Sequence, residues 1–310
     1  MTTAIERAKE HSESKLNELR TKLTKIVPPG NIVVTCGSYA RREASAESDI
    51  DFFIIANGHP AVAPWLEEVR AAISEIVPVE PAEGGAFSSL EARDDMLHNI
   101  GGDNDSNHKI TRRMLFLLEE EWLFDAAEMK SFRRQILERY IGEGMTDHQL
   151  ALFLLNDVIR YYRTMAVDYE FKTAEGETPK PWGIRNIKLV FSRKLLYASG
   201  LFSVAMTVDR TREAKIATLE QLFDLPVIER MNQVCGKGAM EGVLGSYNHF
   251  LERLEDADVR NRLKVLQKDK RSDPLFRELK NEGHHFTREL LKLFERTFDS
   301  THPIRRAVIF

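Results

Sequence analysis

Two short stretches of this sequence carry residue types that can handle phosphate groups and a metal ion. The first is the Gly37-Ser38 pair, which follows a β-branched run at residues 31–36. A glycine directly after a strand lets the backbone approach a ligand closely, and the following serine offers a hydroxyl group and an amide to phosphate oxygens. The pattern predicts half of a nucleotide site at this turn.

The second stretch is the carboxylate pair Asp49 and Asp51, which opens an apolar run. Residues two apart on a strand project from the same face, a few ångströms from one another. Mg²⁺ prefers oxygen ligands and binds through one or two carboxylates together with substrate phosphates. We therefore expect Asp49 and Asp51 to be catalytic residues that bind Mg²⁺ or Mn²⁺. Arg41 or Arg42 is expected to add positive charge near a triphosphate.

An alternative is that this carboxylate pair is only solvated charge at the start of an edge strand, where charge discourages aggregation. The sequence argues against that interpretation, because a strand that is apolar on both faces is typical of a buried position. Both faces are apolar here: Ile50, Phe52 and Ile54 lie on one, and Phe53 and Ile55 on the other. Carboxylates on such a strand need partners.

The surrounding pattern predicts the elements that hold these residues. Apolar positions spaced three and four apart indicate a helix that ends before Pro28, and another helix begins at Pro64. Strands are predicted at residues 31–36 and 49–55, with a short edge strand at 77–81. Residues 83–108 are predicted to be mostly loop, and from Lys109 onward the pattern is helical almost throughout, with no further strand. This divides the chain into an α/β domain at residues 1–128 and an α-helical domain at 129–310.

The Gly37-Ser38 turn and the Asp49-Ile50-Asp51 motif resemble the signature of the DNA polymerase β-like nucleotidyltransferase superfamily. The local sequence is most similar to uridylyltransferase-like and minimal nucleotidyltransferase proteins of bacteria. The resemblance implies an α+β fold, with an N-terminal palm domain built on a mixed sheet and an α-helical bundle after it. It also implies that Gly37 and Ser38 grip the triphosphate and that the aspartates bind the metal ions. Arg42 stands where many members have glycine.

Members of this superfamily usually need a third carboxylate on a later strand, as a base or a metal ligand for the incoming hydroxyl. Glu80 has the best position after the second helix, although the prolines around it are unusual in a strand. Three other acidic residues stay open as alternatives: Glu91, Asp103 and Asp105. Without a third carboxylate, the protein would bind a nucleotide and not turn it over.

Composition limits the substrates. The formal net charge of −4 gives no global attraction to a polyanion, so long nucleic acid is not expected as a partner. Cys36 and Cys235 lack metal-ligand spacing, and no apolar run is long enough to span a bilayer, so a cytoplasmic protein without a membrane partner is expected. The sequence does not predict the oligomeric state.

The expected activity is Mg²⁺-dependent transfer of a nucleoside monophosphate from a nucleoside triphosphate to a hydroxyl group of a protein or small-molecule acceptor, with release of pyrophosphate. Two alternatives remain. A cyclic oligonucleotide synthase shares the turn and the aspartates, although the residues after the turn, Glu43-Ala44-Ser45, are unlike the threonine-containing stretch common there. A regulatory or antitoxin-like protein would keep the nucleotide-binding fold without catalysis.

Basic residues are also concentrated at the start of the helical half: Arg160, Arg163, Lys172, Arg185, Lys188, Arg193 and Lys194.

Overall fold

The structure is a computed structural model that describes residues 2–56, 64–79, 90–98, 100–174 and 180–309. The first half of the chain mixes helices and strands. In chain order these elements are α1 (Ala4–Leu23), β1 (Ile32–Cys36), α2 (Gly37–Ala40), β2 (Asp51–Ala56), α3 (Leu66–Ile76), β3 (Leu90–Ala92), α4 (Arg93–Leu97), α5 (Asn107–Leu118), β4 (Glu121–Phe124) and α6 (Ala126–Tyr140).

The second half is helical throughout its described residues. Its elements are α7 (Leu152–Thr173), α8 (Trp182–Lys188), a π-helical turn (Leu189–Arg193), α9 (Lys194–Ala205), α10 (Arg212–Phe223), α11 (Val227–Cys235), α12 (Glu241–Glu255), α13 (Ala257–Val265), a 3₁₀ turn (Lys268–Lys270), α14 (Pro274–Thr297) and α15 (Ile304–Ala307). The α+β fold class with a helical second half is thereby confirmed.

The four strands form one mixed sheet in the order β3-β2-β1-β4. β1 is antiparallel to both β2 and β4, whereas β2 and β3 are parallel. The parallel pair needs a crossover connection, and α3 lies in the chain between its two strands. The strand carrying Asp51 therefore lies inside the sheet, between β1 and β3.

Both faces of β2 are covered. Phe52 and Ile54 belong to a core cluster that includes residues of α1 and α3, among them Leu19 and Val69. On the opposite face, the ring of Phe53 lies 6.5 Å from that of Phe116 on α5, which in turn packs edge-on against Phe132 on α6 at 5.3 Å. The prediction of a strand apolar on both faces is confirmed, and the residues at its start are held between two packed layers.

The chain forms two compact units whose limits differ from the predicted domain boundary. One unit comprises Glu6–Met145 with Arg212–Pro226, and the other comprises Met1–Ile5, Thr146–Thr211 and Val227–Phe310. A boundary between residues 128 and 129 falls inside α6, whose Phe132 packs against Phe116 on α5. The first unit also includes α10, because Arg134 on α6 pairs with Glu220 at 2.9 Å.

Two details of the sequence prediction are corrected. A strand does follow residue 109: β4 pairs with β1, with Thr35 opposite Glu121. The strand begins at the last residue of a run of three glutamates, which favours a helix, and pairing with β1 makes it extended. The predicted edge strand at 77–81 is not seen at Val77–Val79, and its other two positions lie outside the described residues. None of the described helices has the length and apolarity needed to cross a membrane.

Candidate active site

The turn after β1 brings Gly37 against the carboxylate of Asp51. Gly37 has a φ of +76°, a backbone conformation that residues with a Cβ rarely adopt. A Cβ built on this residue would lie 3.0 Å from Oδ2 of Asp51. A glycine is therefore required here both by the backbone angle and by the close approach of the aspartate.

Strand register explains why these two residues meet. β1 and β2 are antiparallel, and Cys36, the last residue of β1, lies opposite Asp51, the first residue of β2. The hydroxyl of Thr35 donates a 2.7 Å hydrogen bond to the backbone carbonyl of Asp51 and holds the end of the pairing. The turn that follows β1 thus lies beside the residues that open β2, as the sequence predicts. Because β2 begins at Asp51, Asp49 lies in the segment before it, and strand alternation does not fix its side chain.

Asp49 and Asp51 are both partly exposed. No lysine, arginine or histidine in the described part of the chain forms an ion pair with Asp49. Its negative charge acts on Tyr39, which is buried on the adjacent turn: burial raises the pKa of the Tyr39 hydroxyl to about 12, with Asp49 and Glu18 adding to the shift. Tyr39 therefore stays neutral and adds no second negative charge beside Asp49.

Arg41 lies in a buried ion-pair cluster. Its guanidinium contacts Glu43, at 2.9 Å, and Glu119. The side chains of Arg41 and Glu119 are 4% and 0% exposed, so the pair lies out of solvent. A buried ion pair of this kind ties the segment after the turn to the residues that precede β4. The guanidinium is already balanced by two carboxylates.

Arg42 is bound in the same manner. It pairs with Glu13 on α1 and with Glu121 on β4, each at 2.6 Å, and donates a 2.9 Å hydrogen bond to the carbonyl of Ala40. Its φ of +62° lies in the left-handed region, which is uncommon for a residue other than glycine. This backbone angle explains why glycine is common at this position in the superfamily, and the ion pairs offset the strain that arginine carries there.

The segment between the turn and the aspartates is held by hydrogen bonds to helix α1. The hydroxyl of Ser12 accepts a 3.3 Å hydrogen bond from the amide of Ala44 and donates one of 2.7 Å to the carbonyl of Ala8. Within the segment, the hydroxyl of Ser48 accepts from the amide of Ser45 at 3.1 Å. The connection that delivers Asp49 to the site is therefore fixed at both ends.

The candidate third carboxylates are placed as follows. Glu80 lies outside the described residues. Glu91 pairs with Arg112 at 3.0 Å and stands opposite Ile55, which is about 13 Å along β2 from Asp51 at the usual rise per residue. Asp105 is buried and pairs with Arg113 at 2.9 Å, whereas Asp103 is exposed in a turn. Among the described residues no group of three acidic, histidine or cysteine side chains is arranged to hold a metal ion.

The glutamates that bind the two arginines are not among the candidates predicted from sequence. Glu119 and Glu121 flank the start of β4, next to the turn, and Glu13 reaches in from α1. A run of three glutamates at residues 119–121 after an apolar helix is the only sequence signal of this cluster. That signal does not reveal the partners, because the pairing depends on β4 being antiparallel to β1.

Cys36 is a free thiol that does not act as a nucleophile. It is fully buried at the end of β1, and burial raises its pKa well above the ordinary value, with the carboxylates of Glu119, Glu120 and Asp51 adding to the effect. The thiolate is the reactive form of cysteine, so this residue is inert.

The comparison with protein families agrees with this geometry. Residues 16–93, about a quarter of the chain, match the model of the nucleotidyltransferase domain family. The matched segment contains the Gly37-Ser38 turn, both aspartates and strands β1 to β3. A search of curated proteins found no match. The family match and the mixed sheet confirm the resemblance seen in the sequence: residues 16–93 are a nucleotidyltransferase domain of the DNA polymerase β-like superfamily.

Proposed function

We propose that this protein is a Mg²⁺-dependent enzyme that transfers a nucleoside monophosphate from a nucleoside triphosphate to a hydroxyl group of a protein or small-molecule acceptor. Pyrophosphate is the second product, and the proposed location is the cytoplasm. The observation that carries the proposal is the contact between Gly37 and Asp51 inside a nucleotidyltransferase domain. The match supports nucleotidyl transfer in general, and the site residues supply the detail.

The residues at the site fit a magnesium ion. Asp49 and Asp51 offer carboxylate oxygens, which are the ligands that Mg²⁺ prefers, and both are partly exposed. Asp49 has no cationic partner among the described residues, so a bound cation would meet uncompensated charge. Bound Mg²⁺ would supply Lewis-acid stabilisation of the developing charge on the phosphate oxygens.

The turn would position the nucleotide. Because Gly37 has no side chain, a triphosphate can approach the backbone at the position where Asp51 also lies. Ser38 is partly exposed and would donate hydrogen bonds from its hydroxyl and amide to phosphate oxygens. Arg41 and Arg42 would act by holding the turn, because each guanidinium is already bound by glutamates. This differs from the phosphate-binding role expected from the sequence.

The proposed reaction also needs a general base for the incoming hydroxyl group. Glu91, Asp103 and Asp105 are not grouped with the aspartates in the described structure, which leaves Glu80 as the candidate from the sequence. This observation favours the second candidate function, a nucleotide-binding regulatory protein without turnover. The alternatives differ in their products, so one experiment separates them.

The experiment incubates the purified chain with each α-³²P-labelled nucleoside triphosphate and Mg²⁺, with and without cell lysate. Products are resolved by thin-layer chromatography and on denaturing gels. The double variant Asp49→Ala/Asp51→Ala is compared with Asp94→Ala, an exposed carboxylate on α4 in the same unit.

The proposal expects label to appear on a protein or a small molecule with the wild type and Asp94→Ala, and not with the double variant. Cyclic products from nucleotides alone would establish the oligonucleotide synthase. Nucleotide binding without any transfer would establish the regulatory protein.

A further inference from the structure

The helical unit contains two partly buried lysines on one helix–helix seam. Lys194, the first residue of α9, donates a 2.8 Å hydrogen bond from Nζ to the hydroxyl of Thr287 on α14. Lys280 on α14 donates a 3.0 Å hydrogen bond to the amide oxygen of Asn186 on α8. Both acceptors are neutral groups, so neither hydrogen bond balances the charge of its ammonium group.

The seam is formed by two helices that run side by side. α8, the π-helical turn and α9 follow one another without a break, and their residues meet α14 at successive levels: Asn186 at Lys280, Val190 at Gly283, and Lys194 at Thr287. Gly283 allows the close approach, because a Cβ there would collide with Val190. Lys280 and Thr287 are seven positions apart on α14, so their backbones lie about 10 Å apart along the helix axis.

No carboxylate in the described residues forms an ion pair with Lys194 or Lys280. Other lysines of this unit do have such partners: Lys172 pairs with Asp168, Lys268 with Glu170 and Lys292 with Glu289. Burial lowers the pKa of both Lys194 and Lys280, and the positive charge of Lys280 lowers that of Lys194 further. Two partly buried like charges without a counterion repel each other, and a bound anion would remove that repulsion.

A further hydrogen-bond donor, the hydroxyl of Tyr197, lies about one turn after Lys194 on α9. Tyr197 stacks on Tyr162 of α7, with ring centroids 4.4 Å apart. Burial raises the pKa of the Tyr197 hydroxyl, and the positive charge of Arg163 partly opposes this effect. The π-helical turn directly precedes Lys194, and π-helical turns inside α-helices occur frequently at functional sites. The surroundings of Lys194 are therefore suited to an anion with several acceptor oxygens.

We propose that this seam, defined by Lys194, Lys280, Asn186 and Thr287, binds a phosphate-bearing compound. Two ammonium groups on one seam, each bound to a neutral acceptor, match a multiply charged anion better than a single carboxylate, and lysine binds phosphate as a point charge. The inference rests on the helical unit alone and does not depend on the proposed activity. The phosphoryl group belongs either to a nucleotide or to another phosphate ester.

The test uses the full chain with the substitution Asp51→Asn and with EDTA present, so that metal-dependent binding at the proposed active site does not contribute. The Tm is measured with pyrophosphate, ATP or glucose 6-phosphate, and with sodium acetate at matched ionic strength. We expect pyrophosphate to raise the Tm by about 2–4 °C at ten times its Kd, while acetate has no effect. The larger of the ATP and glucose 6-phosphate shifts identifies the source of the phosphoryl group.

The variants Lys194→Met and Lys280→Met keep the length and packing of the side chain and remove its charge. Each is expected to reduce the affinity for pyrophosphate at least tenfold in calorimetric titration and to leave the apo protein folded. The matched control is Lys292→Met on the same helix α14, because Lys292 already has a carboxylate partner. The inference is overturned if no phosphate compound shifts the Tm, or if the shift persists in the double variant Lys194→Met/Lys280→Met.

Discussion

The two arginines after the Gly37-Ser38 turn and the two lysines of the helical seam carry the same charge in opposite surroundings. Arg41 and Arg42 follow the nucleotide motif directly, yet each is bound by two glutamates. Lys194 and Lys280 lie far along the chain and hydrogen-bond only neutral groups among the described residues. Proximity to a motif in sequence is therefore a poor guide to which cation meets a ligand. The balance of charge around it is more informative.

The difference predicts opposite effects on stability. Removing one member of a buried ion pair leaves the other charge without that partner, which destabilises the fold. A partly buried cation without a counterion destabilises the apo protein. Such a residue is expected where the cation binds a ligand, because function is then maintained at the expense of stability. Substitutions in each region can separate the two cases.

The largest effect is expected for Arg41→Ala. Glu119 would lose its buried ion pair with Arg41, so the free energy of unfolding should fall by about 3–5 kcal/mol. In the fraction that stays folded, the affinity for a nucleoside triphosphate should change little. Urea unfolding followed by circular dichroism, together with a nucleotide titration, measures both quantities.

Two further variants sharpen this test. The double variant Arg41→Met/Glu119→Leu should recover much of the lost stability, because it removes both charges. Arg70→Ala, which breaks an exposed pair with Glu67, should change stability by less than about 1 kcal/mol. Unchanged stability of Arg41→Ala with a tenfold loss of nucleotide affinity would show that Arg41 binds phosphate.

A smaller effect on stability is expected for Gly37→Ala. The φ of +76° should make alanine unfavourable by about 1–2 kcal/mol, and the new Cβ would press on the Asp51 carboxylate. Transferase activity should therefore fall about 10- to 100-fold, more than the loss of stability explains. Gly142→Ala is the control, because nothing lies within 4 Å of a Cβ there. Equal activity of the two variants would show that the turn at Gly37 does not contribute to catalysis.

For the lysines, loss of the charge should increase the free energy of unfolding rather than decrease it. Lys280→Met is expected to raise the free energy of unfolding of the apo protein by about 0.5–1 kcal/mol, because it removes one of two repelling charges. Urea unfolding without phosphate in the buffer measures the change. A loss of stability would show that Lys280 is balanced in the way Arg41 is, and the comparison between the two regions would fail.

The smallest effect concerns His11, whose ring packs 6.1 Å from that of Tyr39. Burial lowers the pKa of His11, and Lys15 lowers it further against the opposing effect of Glu18. Because the folded pKa lies below the unfolded value near 6.5, the unfolded chain binds the proton more readily, so stability is lost as the pH falls below about 6.5. His11→Phe should flatten the dependence of Tm on pH between 7 and 5. An unchanged slope would contradict this assignment.

Sequence reasoning succeeded where local pattern determines structure. The strands at residues 31–36 and 49–55 correspond to β1 and β2, and their antiparallel register follows from the short connection between them. It failed where a partner distant in sequence decides. β4 is extended because β1 pairs with it, and Arg41 and Arg42 pair with glutamates about 80 residues away that no local pattern predicts. The π-helical turn beside Lys194 likewise lies within a stretch whose sequence predicts a continuous α-helix.

The most direct test of the central claim measures metal-dependent nucleotide binding at the aspartate pair. A non-hydrolysable nucleoside triphosphate analogue is titrated calorimetrically into the wild type, Asp49→Asn, Asp51→Asn and the exposed control Asp94→Asn, each with Mg²⁺ and with EDTA. The account predicts that Mg²⁺ tightens binding at least tenfold in the wild type and the control, and that either active-site substitution abolishes this gain. An undiminished gain in Asp51→Asn would contradict it.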